Sequence, residues 1–461
     1  MRVFFTNLGC KLNQAENDRL ARDFLAAGHQ LAAALGEADL HVVNSCTVTA
    51  AAARSSRQAA RAGSRVAPGR RPRTVLTGCY ATASPAEAAR LAGVDLVVPN
   101  AGKERLLERV LQAFAEAPPA AQPGAPPGSP AIAAQPGAPP AAAAARSRLP
   151  HGNTRALVKI EDGCDMHCSF CIIPATRGRQ RSRPPAEVVE EVRGLALAGY
   201  REIVVTGVQI SAYRAAGDAP GRRNGLASLV RELLAALPPA ASSSGAPPPA
   251  APALPAARLR LTSIAPWELD DELLALWSDR RLCRHLHLSL QSGATATLRR
   301  MRRPYTAERY ERLVQRVRAA VPGAAVTTDV IVGFPGETAA EFEESLATVA
   351  ALGFAKVHVF PFSARPGTAA AALPGAVPPP ELRERMARML AAAARSELEF
   401  RSAHLGRREV VLWERPRGGT GQGLTDNYIR VFSPEGAGLW NRLAEVELLA
   451  LAPGGMLGRV V

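Results

Sequence analysis

The sequence contains no run of apolar residues approaching the roughly 20 that a transmembrane helix requires. This absence predicts a protein without a membrane span. The first ten residues also lack the apolar stretch of a secretory signal peptide, so we expect a cytoplasmic protein. The odd count of 7 cysteines fits a reducing compartment better than a framework of disulfides.

Acidic residues are too few to balance the basic ones, although lysine is rare and arginine supplies most of the positive charge. The chain of 461 residues has 56 Lys and Arg against 41 Asp and Glu, a formal net charge of +15. The positive electrostatic potential of such a protein attracts polyanions, and the usual polyanionic partner is a nucleic acid. The length allows two or three domains.

Three cysteines at C-x3-C-x2-C spacing follow a short apolar strand and a turn opened by Gly163: Cys164, Cys168 and Cys171. Thiolates this close select a soft metal or an iron–sulfur cluster. A disulfide would leave one thiol over. A structural zinc site needs four ligands, for which His151 or His167 is the candidate. A four-iron cluster on three cysteines would leave one iron without a protein ligand.

This trio, with Phe170 just before the third cysteine, resembles the signature of the radical S-adenosylmethionine superfamily. The resemblance implies that the three thiolates hold a [4Fe-4S] cluster. It also implies that S-adenosylmethionine binds the open iron through its amino and carboxylate groups. Electron transfer then cleaves the bound S-adenosylmethionine to a deoxyadenosyl radical.

The first domain, residues 1–114, repeats a pattern in which a short strand ends in a cysteine and a helical stretch follows. These cysteines are Cys10, Cys46 and Cys79. Strands that alternate with helices form parallel sheets whose carboxyl ends share one edge, so the cysteines are expected to converge as a second trio. The alternative is three unrelated buried cysteines. Asn13 and Glu16 have the spacing of a helix capping box.

The contexts Leu8-Gly9-Cys10-Lys11-Leu12-Asn13, Val43-Asn44-Ser45-Cys46-Thr47 and Thr77-Gly78-Cys79-Tyr80-Ala81 resemble the N-terminal domain of the methylthiotransferases. Within that radical S-adenosylmethionine subgroup they are most similar to the branch acting on threonylcarbamoyladenosine in tRNA. The resemblance implies a flavodoxin-like parallel α/β domain in which Cys10, Cys46 and Cys79 hold an auxiliary [4Fe-4S] cluster.

The rest of the chain divides by composition and periodicity. Residues 115–150 form an Ala/Pro-rich linker, and a second low-complexity insert covers 238–257. Residues 151–378 contain six strand-then-helix units, which predict an open, partial (β/α)6 barrel. A connecting helix spans 379–400, and 401–461 alternate like the strands of a small β-barrel. That last segment resembles the RNA-binding TRAM domain, with Trp413, Tyr428 and Arg430 as candidate RNA contacts. For Trp413 a place in the core is the favoured alternative.

Several residues at the predicted strand ends resemble the contacts of the family with S-adenosylmethionine. They are Gly207 after the second strand, Gln291 after the fourth, and Ile331 and Gly333 at the fifth. Two groups of arginines are interpreted as phosphate contacts, with a solvated basic face as the alternative: Arg177, Arg179, Arg181, Arg183, Arg299, Arg300, Arg302 and Arg303. Cys283 is expected to be a packing residue.

The sequence therefore predicts an enzyme that converts threonylcarbamoyladenosine at position 37 of tRNA to its 2-methylthio derivative. Its expected partners are the tRNA anticodon stem-loop, an electron donor such as flavodoxin or ferredoxin, and a sulfur donor. Two other substrates remain open, isopentenyladenosine in tRNA and a ribosomal protein. A non-enzymatic alternative is an RNA-binding protein with zinc-stabilised loops.

Overall fold

A computed structural model describes residues 1–66, 71–115, 153–215, 225–238, 254–416 and 418–461. The predicted linker, apart from Ala115, lies outside the described residues, and so does most of the second insert. The chain forms two compact units. One comprises Met1–Thr47 with Ala51–Gly152, and the other comprises Val48–Ala50 with Asn153–Val461. No helix among the described residues is long and apolar enough to cross a bilayer.

The first unit contains a parallel sheet of five strands in the order β2-β1-β3-β4-β5, as in flavodoxin-like folds. Its strands are β1 (Arg2–Asn7), β2 (Gln30–Leu31), β3 (Leu40–Ser45), β4 (Arg73–Gly78) and β5 (Leu96–Val98). Its helices are α1 (Lys11–Ala26), α2 (Ala50–Ala60), α3 (Cys79–Ala83), α4 (Pro85–Ala89) and α5 (Leu106–Ala115).

Successive residues of a strand point to opposite faces of the sheet, so a strand that is apolar throughout has apolar side chains on both faces. Helices cover both faces of this sheet. Val42 packs with Phe24 of α1 and Val110 of α5. Val43, the next residue, packs with Ala53 of α2 and Tyr80 of α3. The predicted flavodoxin-like domain is confirmed.

The second unit begins with a curved parallel sheet in two parts, β10-β9-β6 and β11-β12-β13-β14. The strands are β6 (Ala156–Lys159), β7 (Glu161–Asp162), β8 (Arg181–Ser182), β9 (Glu202–Thr206), β10 (Arg258–Leu261), β11 (Ser263–Ile264), β12 (His285–Leu288), β13 (Ala325–Val332) and β14 (Lys356–Pro361). The helices are α6 (Ile173–Arg177), α7 (Pro185–Leu197), α8 (Gly225–Ala236), α9 (Asp271–Leu274), α10 (Thr295–Arg300), α11 (Ala307–Ala320), α12 (Ala339–Leu352) and α13 (Pro379–Ser402).

The six predicted strand-then-helix units are present in chain order, so the partial barrel is confirmed. Its third strand differs from the prediction, because Thr262 separates β10 from β11 and the sheet divides there. The short pair β7–β8 is antiparallel and brackets the loop that carries the central cysteines.

The C-terminal segment is a closed barrel in the order β15-β16-β17-β19-β18. Its strands are β15 (Arg408–Trp413), β16 (Gly421–Thr425), β17 (Arg430–Ser433), β18 (Leu443–Ala452) and β19 (Gly455–Val460). The sequence predicted the barrel but missed β16 and β19. Both are rich in glycine, which weakens a strand signal.

Two of the three candidate RNA contacts in this barrel serve the fold instead. Trp413 is fully buried in the barrel core. Tyr428 was placed in a strand, but it lies in the turn between β16 and β17 with φ of +69°. Its ring stacks on His285 of β12 at a centroid distance of 4.6 Å. Arg430 pairs with Glu414 at 3.3 Å and remains at the surface.

Arginines of β10 attach this barrel to the core. Glu202 of β9 is fully buried and accepts hydrogen bonds from Arg258 and Arg260 at 2.8 and 2.7 Å. The same two guanidinium groups donate to barrel carbonyls, among them Leu424 O at 2.9 Å and Thr425 O at 3.1 Å. Burial opposes ionisation of Glu202, but the two positive charges outweigh it and hold the pKa of Glu202 well below its usual value.

Candidate functional site

The central three cysteines lie on the loop between β7 and α6, and all three are half-buried. The backbone N–H of Met166 donates to Cys164 Sγ at 3.4 Å. Burial, and to a lesser extent the charges of Cys168 and Cys164, raise the pKa of Cys171 to about 12. The three thiols are therefore close enough to interact electrostatically. Iron that binds here would have to displace their protons.

Asp162 holds the start of this loop. Its Oδ1 accepts hydrogen bonds from the backbone N–H of Gly163 and from Arg177, both at 2.9 Å. Gly163 has a φ of +78°, and a Cβ there would lie 2.6 Å from the carbonyl carbon of Arg179. The tight turn therefore requires glycine. The prediction that Arg177 contacts phosphate is wrong, since its buried side chain serves this anchor.

Glu161, which the sequence analysis overlooked, contacts the turn after β9 that carries Gly207. Its carboxylate is fully buried, and Oε2 accepts a hydrogen bond from the backbone N–H of Gln209 at 2.8 Å. Oε1 has no hydrogen-bond partner among the described residues. Burial raises the pKa of Glu161 to about 8. A Cβ at Gly207 would lie 2.7 Å from Glu161 Oε2, so the glycine permits this close approach.

Arg303 brings a buried positive charge to the cysteine loop. Its guanidinium donates to Cys168 Sγ at 3.4 Å and to the carbonyl of Ser289 at 3.2 Å. Hydrogen bonds and positive charge at a cluster thiolate favour the reduced state. Arg303 was predicted as a phosphate contact, but the structure directs it to the cysteine instead.

The other predicted cofactor residues lie at the carboxyl ends of β12 and β13. Gln291 has a φ of +68°, unusual for a residue other than glycine. Its backbone bridges to β13 through Asp329 O and Ile331 N, each at 2.8 Å. Gly333 donates its N–H to Glu337 at 3.1 Å. These positions frame the carboxyl edge of the barrel, where the resemblance places S-adenosylmethionine.

Polar side chains on the inner face of the barrel were also missed. His287 of β12 contacts Asp329 Oδ2 at 3.1 Å and Thr327 Oγ1 at 3.0 Å. His358 of β14 is aligned with Asp329, and its ring lies 5.9 Å from that of His287. Burial opposes ionisation of Asp329, yet the hydrogen bond and charge of His287 lower its pKa. The sequence signal that could have identified them is the polar residue at every second position of strands that are otherwise buried.

The second trio lies where β1, β3 and β4 end at one edge of the first sheet. Cys10 and Cys46 follow the first two strands, and Cys79 begins α3 directly after β4. A Cβ on Gly9 would lie 2.9 Å from Cys46 Sγ, which shows how closely the two loops approach. Asn100 donates to Cys79 Sγ at 3.7 Å.

A buried polar network lies behind this edge. Lys103 pairs with Glu16 at 2.7 Å and donates to Asn44 Oδ1 at 3.0 Å. Asn13 donates to the carbonyls of Leu8 and Ser45 at 2.8 and 3.1 Å. The predicted capping box is therefore wrong. Helix α1 begins at Lys11, so Asn13 lies inside it and fixes the two cysteine loops instead.

Seven free cysteines are present, and the two trios supply soft thiolate donors. Cys283, the seventh, is fully buried and confirms its expected packing role. Among the described residues no group of three or more His, Cys, Asp or Glu side chains is placed to hold a metal ion. The candidate fourth ligand His151 lies outside those residues, and His167 is exposed. The donor chemistry at both trios fits an iron–sulfur cluster.

The arginines predicted as phosphate contacts divide into two sets. Arg183 pairs with Glu191 at 2.7 Å, and Arg300 donates to Glu341 at 3.0 Å. Like Arg177 and Arg303, both side chains are held by partners within the protein, although the Arg300 side chain is still 31% exposed. The exposed members of the two groups remain candidates: Arg179, Arg181, Arg299 and Arg302.

A loop of three cysteines at the carboxyl edge of a partial (β/α)6 barrel defines a radical S-adenosylmethionine enzyme. The Radical SAM superfamily model matches residues 158–349, and the model of Uncharacterized protein family UPF0004 matches residues 2–99. The solved structure of the radical S-adenosylmethionine methyltransferase TsrM from Kitasatospora setae is similar in fold, with a TM-score of 0.51 and 18% identity. That similarity covers 80% of this chain and 77% of the TsrM chain.

Curated relatives match nearly the full length. Threonylcarbamoyladenosine tRNA methylthiotransferase MtaB of Bacillus subtilis is 34% identical over 97% of this chain and 93% of its own. The Aquifex aeolicus protein of the same name is 33% identical over 94% and 96%. The tRNA-2-methylthio-N(6)-dimethylallyladenosine synthase of Novosphingobium aromaticivorans is 34% identical over 98% and 96%.

The chain belongs to the radical S-adenosylmethionine methylthiotransferase family, in the threonylcarbamoyladenosine branch that its first-domain motifs indicated. The cofactors of such an enzyme are two [4Fe-4S] clusters and S-adenosylmethionine.

Proposed function

We propose that this protein replaces the hydrogen on C2 of threonylcarbamoyladenosine, next to the tRNA anticodon, with a methylthio group. The match to the two methylthiotransferases named for this nucleoside carries the proposal. That C–H bond is unactivated, so acid–base chemistry does not reach it, and the bound cofactors supply a carbon radical.

The reaction balances as follows. The C2 hydrogen atom goes to the deoxyadenosyl carbon of one S-adenosylmethionine, which leaves 5′-deoxyadenosine and methionine. A second S-adenosylmethionine gives its methyl group to sulfur and leaves S-adenosylhomocysteine. A sulfur donor supplies the sulfur atom, and an electron donor such as flavodoxin or ferredoxin supplies the two electrons. A cytoplasmic enzyme has access to both partners.

The residues take these roles in the proposal. Cys164, Cys168 and Cys171 hold the cluster that binds S-adenosylmethionine. Cys10, Cys46 and Cys79 hold the auxiliary cluster in the domain 1–114. Gly207, Gln291, Ile331 and Gly333 contact the cofactor from the barrel of residues 151–378. The barrel of residues 401–461, joined through the helix 379–400, binds RNA as its TRAM-like sequence suggests.

The inner face of the core barrel supports this substrate over isopentenyladenosine. His287, Asp329 and His358 present donors and a charged acceptor on the same face as Ile331. A threonylcarbamoyl group carries an amide, a hydroxyl and a carboxylate that can satisfy such groups. An isopentenyl tail has none of these groups and would form no hydrogen bond to this face.

The test uses protein reconstituted without oxygen, a reductant, S-adenosylmethionine and tRNA that carries threonylcarbamoyladenosine. We expect about eight irons per chain and the methylthio nucleoside by mass spectrometry of digested tRNA. Cys164→Ala should abolish cleavage of S-adenosylmethionine. Cys46→Ala should retain cleavage but stop sulfur insertion.

Three results would contradict the proposal. Normal methylthiolation of tRNA by Cys46→Ala would show that the first domain is not required for sulfur insertion. Modification of isopentenyladenosine tRNA alone would assign the other substrate. Bound zinc with no visible absorption would favour the non-enzymatic RNA-binding protein.

A further inference from the structure

A cavity of 480 Å³ opens beside the cysteine loop, at the carboxyl edge of the barrel. One wall is the turn Pro266–Glu268, which follows β11. The lining continues over Tyr305, whose ring adjoins that of Trp267, and over the first turns of α11. The hydroxyl of Tyr305 donates to the carbonyl of Ser289, just after β12, at 2.8 Å, which places this wall at the same edge. The volume lies within the roughly 300–1,000 Å³ of small-molecule sites.

Aromatic side chains form the inner end of the cavity. The rings of Trp267 and Tyr305 are nearly parallel, at an angle of 22° and a centroid distance of 5.8 Å. The guanidinium of Arg303 lies 5.0 Å from the centre of the Trp267 ring and also donates to Cys168 Sγ at 3.4 Å. The aromatic wall is therefore separated from the cysteine loop by the width of one guanidinium group.

Arginines form the outer end. Arg309, Arg312 and Arg316 recur at helical spacing and so share one face of α11. Arg316 pairs with Asp271 at 3.4 Å. In the described part of the chain the Arg309 side chain has no hydrogen bond or ion pair, and Arg312 faces only the exposed carboxylate of Glu308.

The acidic residues of the cavity are already engaged. Asp270 accepts the N–H of Leu273 at 2.8 Å and caps α9, and Asp271 pairs with Arg316. The cavity thus offers the partly exposed ring of Trp267, backed by the buried ring of Tyr305, together with unneutralised positive charge on α11. A nucleotide matches both features, because its base can stack on an aromatic ring and its phosphate can bind arginine. An acidic protein would use the arginines but not the aromatic wall.

We propose that the cavity between Trp267, Tyr305 and the Arg309–Arg312 face of α11 binds a nucleotide of the RNA substrate that flanks the modified one. The proposal rests on the proposed function, since it requires RNA at the carboxyl edge of the barrel. The base lies against the aromatic wall and its phosphate lies on the arginines.

The test measures binding of an anticodon stem-loop RNA to the reconstituted enzyme over a range of salt concentrations. Trp267→Ala should weaken binding by roughly 5- to 150-fold, the loss of one stacked base, with an unchanged salt dependence. Trp267→Phe should restore most of the affinity. The double variant Arg309→Ala/Arg312→Ala should also weaken binding. In addition, its slope of log affinity against log salt should fall by roughly 0.7, the change for one lost phosphate contact.

The matched control is Arg383→Ala/Arg395→Ala, which removes two exposed arginines from α13 and should leave affinity and methylthiolation unchanged. If wild type modifies the tRNA while all variants bind the stem-loop equally, the cavity is not an RNA subsite. If Arg309→Ala/Arg312→Ala instead slows reduction by flavodoxin with RNA affinity intact, the cavity serves the electron donor and the inference is wrong. If wild type neither binds nor modifies the tRNA, the proposed function fails first.

Discussion

At the scale of single residues, Glu161 is the most unusual group of the site. Its carboxyl is fully buried beside the cysteine loop, and burial raises its pKa from the ordinary 4.5 to about 8. The folded protein therefore keeps a proton that the unfolded chain releases between those two values. Stability consequently falls as pH rises from about 4.5 to 8, and it changes no further through this group above pH 8.

Glu161→Gln keeps the shape and the acceptor for Gln209 N–H but removes the ionisation. We expect the variant to equal the wild type near pH 5 and to exceed its stability increasingly up to pH 8. The measurement is the thermal unfolding midpoint from pH 5 to 9, with the exposed Glu384→Gln as the charge-matched control. A constant difference across this range would show that Glu161 is ionised throughout.

At the scale of elements, β4 must end in glycine. Gly78 has a φ of +97°, and a Cβ there would lie 2.6 Å from Asn44 Oδ1 and from the backbone nitrogen of Ser45. Both neighbours are fully buried on β3, so neither has room to move. The close approach sets the spacing of the two strand ends that present Cys46 and Cys79.

Gly78→Ala should destabilise the first unit by roughly 3 kcal/mol or more, because backbone strain and overpacking each cost about 1–3 kcal/mol. Gly28→Ala is the matched control, since its φ is +82° but nothing lies within 4 Å of an added Cβ. That control should lose only about 1–2 kcal/mol. Denaturant unfolding and iron content after reconstitution measure both effects, and equal losses would refute the steric argument.

At the scale of the whole molecule, Glu202 and its two arginines join the core to the C-terminal barrel. Removing one member of a buried ion group typically costs about 3–5 kcal/mol, because the remaining charge is left unpaired. Since the pKa of Glu202 is depressed, its contribution is present above the ordinary value of 4.5 and is lost only as pH falls well below it.

Glu202→Gln should therefore lower the unfolding midpoint by a similar amount from pH 5 to 8. It should also let limited proteolysis release the C-terminal barrel. Glu447→Gln, which breaks the exposed pair with Arg459, should change the stability by less than about 1 kcal/mol. Release of the barrel by both variants alike would mean that the buried group does not hold it.

Local patterns in the sequence were enough to predict the fold class of each domain and to single out both cysteine trios. Strand periodicity located all six core units, and the cysteine spacing indicated the cofactor chemistry, because these signals are local in the chain. Glycine-rich strands such as β16 carried too little side-chain signal to be seen.

The partners of the polar and charged side chains, by contrast, became visible only in the folded protein. Arg177 and Arg303 have the same sequence signature as exposed arginines, but folding buries one against Asp162 and the other against Cys168. Asn13 matches a helix cap in sequence and instead bridges two loops. Such roles depend on partners far away in the chain, and a single sequence does not encode those contacts in any local pattern.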